Sequence, residues 1–493
     1  MSHYVVAIDQ GTTGTKAVVL DKQLRIRGTA SQELTQYYPK PGWVEHDPDE
    51  IWQTCQKTLA RALRAAKATP EDIAAIGITN QRETVVLWNK KTGKPIYRAI
   101  VWQDRRTADI CKRLKEDGVE EVFQKKTGLL LDPYFSGTKI YWLLQHLKGL
   151  REKAQTREIA FGTIDSWLLY KLTGGEVHAT DVSNASRTLL LNLTTLNWDA
   201  ELLKILEIPR EILPEIHSSS EVYGTTSKSS GLPAGIPIAG IAGDQQAALF
   251  GQACFEIGSA KLTFGTGSFL LINTGDRIVP SQHRLLTSVG WKIRNRVTYV
   301  VEGSAFIAGA MVQWLRDGLG MIKHSSEVEV MANSVPDSGG VIAVPALSGL
   351  GAPYWRSEAR GLIWGLNRGT TKAHIARAAL EGIAFQNNDL AKAMEEDIGE
   401  RLTLLKVDGG ACANDLLMQF QADIMNTEIV RPQITETTSL GAAFLAGLAV
   451  GIWKKTEEIR ATWKTDKRFH PKIKEQDREL MLRHWADAVR RSY

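Results

Sequence analysis

The feature that most constrains this chain is a short device used twice. Val5-Val6-Ala7-Ile8-Asp9 runs into Gln10-Gly11-Thr12-Thr13-Gly14-Thr15-Lys16 and then into Ala17-Val18-Val19-Leu20. Small and β-branched apolar residues on both sides of a Gly/Thr turn predict a strand, a tight hairpin and a second strand. Ala260-Lys261-Leu262-Thr263-Phe264, Gly265-Thr266-Gly267-Ser268 and Phe269-Leu270-Leu271-Ile272-Asn273 repeat the pattern much later. Glycine lets backbone N–H groups approach an anion, threonine hydroxyls add donors, and a strand-end carboxylate such as Asp9 can hold Mg²⁺ directly or through its waters. Taken singly, the segment suits an ordinary hairpin turn as well as a phosphate cradle. Its repetition favours two related halves facing one nucleotide. The first hairpin is not a P-loop, because G-x-x-x-x-G-K-[ST] is missing and a strand-like run follows where a helix would open.

A length of 493 residues exceeds one ordinary core and predicts two domains of similar size. The division is placed just after Gly251, giving residues 1–251 with the first hairpin and 252–493 with the second. Lys and Arg number 60 against 55 Asp and Glu, a net charge of only +5, and they form no long run or helical stripe. Nucleic acid is therefore not an expected partner. No apolar run approaches the ~20 residues of a membrane span, and no signal-like segment precedes the first strand, so a cytoplasmic protein is expected. Cys55, Cys111, Cys254 and Cys412 lie far apart without C-x-x-C spacing, which predicts buried thiols rather than a zinc site or a disulfide framework.

Asp47-Pro48-Asp49-Glu50 reads as a helix start, and Ile51, Cys55, Leu59 and Leu63 recur at helical spacing through Ala66. Residues 73–79 read as a buried strand with residues 85–88 as its neighbour. Asn80-Gln81-Arg82-Glu83-Thr84 between them is either a solvated hairpin or a seat for a small polar ligand. Trp102 follows the strand at Ala99–Val101 and stands beside Gln103; residue type alone places it in the core, whereas its neighbours suit a ligand with a hydrocarbon face and several hydroxyls. Tyr134 precedes an aromatic helix start. Residues 162–172 read as a helix containing Asp165, which is assigned no chemistry, and residues 207–237 read as loop-rich. Asp244 follows an apolar strand and opens an alanine-rich helix, as an N-cap carboxylate, a general base or both. Leu404–Asp408 runs into Gly409-Gly410 and then a helix, leaving backbone N–H groups and Asn414 for the sugar or base of a nucleotide. The tail from Glu475 to Arg491 reads as a solvated helix.

Several of these segments occur in one order: Asp9-Gln10-Gly11-Thr12-Thr13, Gly77–Thr84, Trp102-Gln103, Asp132–Lys139, Gly243-Asp244-Gln245-Gln246, Gly265-Thr266-Gly267 and Asp408-Gly409-Gly410. Over essentially its whole length the chain resembles the FGGY carbohydrate kinase family, and the Asn-Gln-Arg-Glu-Thr segment points to the members that phosphorylate glycerol in its catabolism. The resemblance implies an α/β fold of two actin-like ATPase (ribonuclease-H-like) domains flanking a catalytic cleft. It implies that Arg82, Glu83, Trp102, Tyr134, Asp244, Gln245 and Phe269 surround glycerol. ATP is implied against Thr12, Thr13, Gly14, Lys16, Thr266, Gly309, Gln313, Gly410 and Asn414, with Asp9 and Asp244 toward Mg²⁺ and Asp244 as the catalytic base. Lys16 stands where many relatives carry Arg, and Lys lacks the bidentate fork of Arg. Control by fructose 1,6-bisphosphate or by histidine phosphorylation is not carried over. Ser227–Gly235 lacks the Gly-rich, Arg-containing composition, and no histidine lies between His217 and His283. A homo-oligomer, dimer or tetramer, is expected by the same resemblance.

Overall fold

The computed structural model describes residues 4–356 and 358–493. Val5 to Ile8 and Ala17 to Leu20 are buried on both faces. Such strands can only be interior strands covered by helices on both sides. They pair antiparallel, Asp9 opposite Lys16, and sit in a thirteen-stranded sheet. Across the sheet the order is Thr465–Phe469, Glu428–Pro432, Leu404–Asp408, Ala260–Phe264, Ser268–Gly275, Arg296–Ala305, Leu286–Ile293, Ser220–Thr225, Pro237–Gly243, Ile73–Asn80, Tyr4–Gln10, Gly14–Asp21 and Ile26–Glu33.

The pairing pattern occurs twice. In the first half, Tyr4–Gln10 and Gly14–Asp21 form the hairpin, Ile26–Glu33 extends it antiparallel, and Ile73–Asn80 and Pro237–Gly243 add in parallel on the other side. In the second half, Ala260–Phe264 and Ser268–Gly275 form the hairpin, Arg296–Ala305 extends it antiparallel, and Leu404–Asp408 and Glu428–Pro432 add in parallel. In each half the Gly/Thr turn thus lies at the end of a central strand. The halves meet where Ser220 pairs with Ile293, the one registered pair between their strands among the described residues.

Helices cover the faces. Pro48–Ala66 begins as its sequence predicts, with the Asp47 carboxylate accepting the N–H groups of Asp49 and Glu50, and Ile51, Cys55 and Leu59 buried. Asp244–Gly251 touches strands of both halves, and Thr437–Ala449 packs on it and on the first half's strands. All four cysteines are buried, as expected. Among the described residues no helix is long and apolar enough to cross a membrane.

Three expectations are corrected. Val86–Asn89 is not the neighbour of Ile73–Asn80; it pairs with Ile159–Gly162 in a separate small sheet, so Asn80–Thr84 turns out of the main sheet instead of closing a hairpin. The stretch 207–237 contains a main-sheet strand, Ser220–Thr225, whose Ser-rich flanks hide it. Glu475–Arg490 is docked: Trp485, Ala488 and Val489 are buried, and the Trp485 indole donates to Asp389 at 2.6 Å.

Candidate active site

Asn80 ends a buried strand, and the chain then turns so sharply that Glu83 adopts a left-handed φ of 62°. Non-glycine residues rarely hold that conformation unless the surroundings fix it. Here they do. The Ser136 hydroxyl donates to the Glu83 carbonyl at 2.8 Å, and Arg187 Nε donates to the Glu83 carboxylate at 2.6 Å. Arg82 and Glu83 are thereby buried side by side, 2% and 1% exposed.

Arg82 is the hub. Its two terminal nitrogens grip Glu302 at 2.5 and 2.9 Å, a bidentate pair. Its Nε lies 3.2 Å from Asp244 Oδ1, and its Nη2 lies 3.4 Å from the Tyr134 hydroxyl. Arg187 reaches Glu302 at 3.3 Å and Ser288 at 2.8 Å. Burial would raise the Glu302 carboxyl, but Arg187 and Arg82 outweigh it and hold it down at about 2. Glu83 goes the other way: burial raises it more than Arg187 and Arg82 lower it. The Tyr134 ring stands edge-on to Trp102 with centroids 5.5 Å apart, and Lys139 fixes the loop behind Tyr134 by donating to its carbonyl at 2.9 Å. Trp102, half-buried, donates its indole N–H to the Thr12 hydroxyl at 2.8 Å, tying this cluster to the first Gly/Thr hairpin. Phe269 pairs with Ser304 on the strand that carries Glu302, two residues away and therefore on the same face.

Asp244 is the first residue of its helix and accepts the Gln245 N–H at 2.7 Å. It does not cap the helix; Gly243 occupies that position. Burial raises its carboxyl, against the pull of Arg82 and Lys261. Asp9 is pushed up to about 7 by burial and by the charges of Asp244 and Glu436, with Lys16 opposing. Lys16 lies 2.5 Å from Glu436, just before the helix Thr437–Ala449. A cavity of about 330 Å³ is lined by Asp9, Gly11, Thr13, Gly14, Thr15 and Lys16 together with residues 31–33. A side chain at Gly14 would force the backbone to shift, since a Cβ there would lie 2.5 Å from the Gln32 carbonyl.

On the second half, Thr266 is exposed at the hairpin tip, and its carbonyl accepts the Ala308 and Ala310 N–H groups. The Gly309 N–H is committed to the Gly265 carbonyl at 3.0 Å. Gln313 is exposed on the helix Gly309–Asp317. Gly410 is exposed with nothing within 4 Å of where a Cβ would stand. Asn414 uses its side-chain oxygen to cap the next helix, accepting the Leu417 N–H at 2.8 Å, so its amide N–H₂ is what remains for a ligand.

Arg82, Glu83, Trp102, Tyr134, Asp244, Thr12, Lys16 and Asp9 are therefore brought together. Gln245 joins them by donating its backbone N–H to Asp244, and its side chain extends the network to Lys261, Thr263 and Asp408. Among the described residues no hydrogen bond or ion pair joins Gln313 or Asn414 to that network. Sequence reasoning missed Arg187, Glu302, Lys261 and Glu436 as members. Two of them carried a signal: Glu302 ends the apolar run Tyr299-Val300-Val301, and Lys261 interrupts a buried strand, and a lone charge inside a strand must have a partner. Arg187 and Glu436 carried none.

Residues 4–251 match the N-terminal domain, and residues 260–450 the C-terminal domain, of the FGGY family of carbohydrate kinases. The chain is 58% identical over 491 residues to the glycerol kinase of Myxococcus xanthus, covering 99% of each. It is 57% identical to that of Deinococcus radiodurans, covering 99% of this chain and 97% of the relative. Among solved structures, Plasmodium falciparum glycerol kinase with ADP superposes with a TM-score of 0.92 at 41% identity, covering 99% of this chain and 98% of that one. A gluconate kinase from Lactobacillus acidophilus gives 0.86 at 26% identity over 99% and 97%. With both halves matched by the two domains of one family and relatives aligned end to end, the chain belongs to the FGGY family of carbohydrate kinases.

Proposed function

We propose that this chain phosphorylates glycerol with ATP, giving sn-glycerol 3-phosphate and ADP. The observation that carries the reading is Asp244: a carboxylate raised by burial, 3.2 Å from Arg82, heading a helix that touches both half-sheets. Glycerol is favoured over the family's other acceptors because the glycerol kinases reach 58% identity and the gluconate kinase 26%. Arg82, Glu83, Tyr134, Asp244 and Gln245 would bind the three hydroxyls, and Trp102 and Phe269 would cover the carbon chain.

A primary hydroxyl is a poor nucleophile. Asp244 would accept its proton as the oxygen attacks the γ-phosphorus in line and the bond to the ADP oxygen breaks. Lys16 and the amides of both Gly/Thr turns would stabilise charge on the phosphate oxygens, with Lys16 leaving Glu436 to do so. The adenosine end would lie toward Gly309, Gln313, Gly410 and Asn414, with Thr12, Thr13, Gly14 and Thr266 at the phosphates. Asp9 and Asp244 fit a hard cation: they are oxygen donors, and a cation offsets both the burial and the neighbouring negative charges that raise Asp9. Mg²⁺ there would neutralise phosphate charge. Closure of the halves would exclude water, the competing acceptor. Residues 1–251 and 252–493 would be the two domains, in a cytoplasmic homo-oligomer, dimer or tetramer.

The test is ADP release from MgATP with glycerol, dihydroxyacetone, D-xylulose, D-gluconate or no acceptor, with the product identified by phosphorus NMR. Glycerol-dependent turnover to sn-glycerol 3-phosphate is expected. Turnover only with another acceptor would keep the fold and overturn the pocket assignment, and acceptor-independent turnover would point to an ATPase of another kind.

A further inference from the structure

Lys261 lies on the second half's hairpin strand Ala260–Phe264, and its side chain is completely buried. Its ammonium donates to the Gln245 side-chain oxygen and, at 2.6 Å, to the Thr263 hydroxyl. Thr263 in turn donates to Asp408 at 2.5 Å, and Asp408 also receives Thr437 at 2.6 Å and Gln252 at 3.0 Å. Asp408 is thus held independently of Lys261. An ammonium has three donors and no acceptor, so only the oxygen of the Gln245 amide can face it. The two amide ends are otherwise nearly equivalent in shape, and here their assignment is settled by chemistry.

We infer that Lys261 is a positioning residue that locks the Gln245 amide with its N–H₂ group turned away from the ammonium, so that the polyol pocket offers a donor, never an acceptor, at that point. The inference rests on the proposed glycerol site and adds the device that sets one of its contacts. A locked donor selects a hydroxyl oxygen in the ligand and disfavours a ligand lacking it, because the buried N–H would then go unpaired. Burial pulls the Lys261 ammonium down to about 8, with Asp408 and Asp244 opposing, so at neutral pH it remains a donor. Without the ammonium the amide is free to flip, and the donor is present only part of the time.

Steady-state kinetics of the full-length enzyme with glycerol, propane-1,2-diol and propane-1,3-diol test this. Lys261→Met is expected to raise the KM for glycerol about three- to tenfold, up to the worth of one hydrogen bond, and to leave the KM for ATP within about twofold. The same substitution should change little for whichever deoxy analogue lacks the hydroxyl that Gln245 meets. Placed in a Gln245→Ala background, Lys261→Met should add nothing to the glycerol KM, since its hold on the polyol pocket runs through Gln245; its charge also favours ionised Asp244, and that effect falls on kcat. Additive losses, an unchanged glycerol KM, or equal losses for glycerol and ATP would overturn the inference. Gln245→Glu keeps the ammonium paired but removes the donors; it should also raise the glycerol KM, carries the test if Lys261→Met fails to fold, and overturns the inference if the KM stays unchanged. Wild-type enzyme without glycerol-dependent turnover would instead refute the glycerol site itself, before any variant is made.

Discussion

At the residue scale, the proposed reaction turns on Asp244. A carboxylate acts as a base only while ionised, and here two effects oppose: burial raises its carboxyl, while Arg82 and Lys261 favour the charged form. Asp244→Asn keeps the shape and a hydrogen bond to the ligand but cannot accept a proton. It should lower kcat by about 10²–10⁴ while changing the glycerol KM only a few-fold. Steady-state rates would check this, and equal losses in both constants would remove Asp244 as the base. Asp244, Arg82, Trp102 and Tyr134 were legible in the sequence because each sits where an apolar run breaks into polar residues. Their meeting was not legible, because it depends on Glu302 and Arg187, distant in sequence, and a single chain carries no mark of which distant charges pair. Asn414 shows a further limit: its residue type suits both ligand binding and helix capping, and the structure gives its oxygen to the cap.

Among the elements, the loop after Leu404–Asp408 separates two neighbouring glycines by their duties. Gly409 has φ +86°, and a Cβ there would lie 2.3 Å from the Phe264 carbonyl, a backbone atom with little room to yield. Gly409→Ala should cost roughly 1–3 kcal/mol of stability in urea unfolding and weaken ADP binding with it. Gly410 has open space, so Gly410→Ala should stay within about 0.5 kcal/mol of wild type. Its added methyl should still weaken ADP several-fold by calorimetry if the nucleotide approaches there; unchanged affinity would take Gly410 out of the site. The C-terminal helix supplies a second case. Asp389 accepts from Trp485 at 2.6 Å and Tyr354 at 2.7 Å, and burial raises it from 3.8 to about 6. Folding then takes up a proton between about pH 4 and 6, so the cost of ionising Asp389 is absent below that window and complete above it. Against Asp389→Asn, neutral throughout, wild type should lose roughly 2 kcal/mol of relative stability between pH 4 and 7. Urea midpoints of both proteins across that range would show it, and a constant difference would mean that Asp389 does not titrate there. Charge-rich composition hid this docking: the helix is mostly solvated, and its few apolar residues suffice to bind it down.

The main sheet of the molecule is built from a repeated unit, and among the described residues its two halves are registered across it at a single residue pair. The hairpins announced that repetition in sequence. The seam between the halves was not announced, because Ser220–Thr225 reads as loop and the crossing is made by helices of small residues. Asp244–Gly251 and Thr437–Ala449 cross so closely that a Cβ on Gly441 would lie 1.8 Å from the Ala247 carbonyl, and one on Gly251 would lie 1.9 Å from the Thr437 carbonyl. Both obstacles are backbone, so neither can swing aside as a side chain does. The first helix begins with Asp244 and touches strands of both halves; the second follows Glu436, the partner of Lys16. Spacing between these helices therefore enters the distance between the proposed base and Glu436, the partner of Lys16. Gly441→Val should force them apart, costing about 1–3 kcal/mol in urea unfolding. It should also lower kcat by about a hundredfold or more, since misplacing the base by an ångström forfeits that much. Far-UV circular dichroism at working temperature should remain that of wild type, separating misalignment from unfolding. Wild-type stability and turnover in Gly441→Val would show that the helix crossing tolerates expansion and does not set the geometry of the cleft.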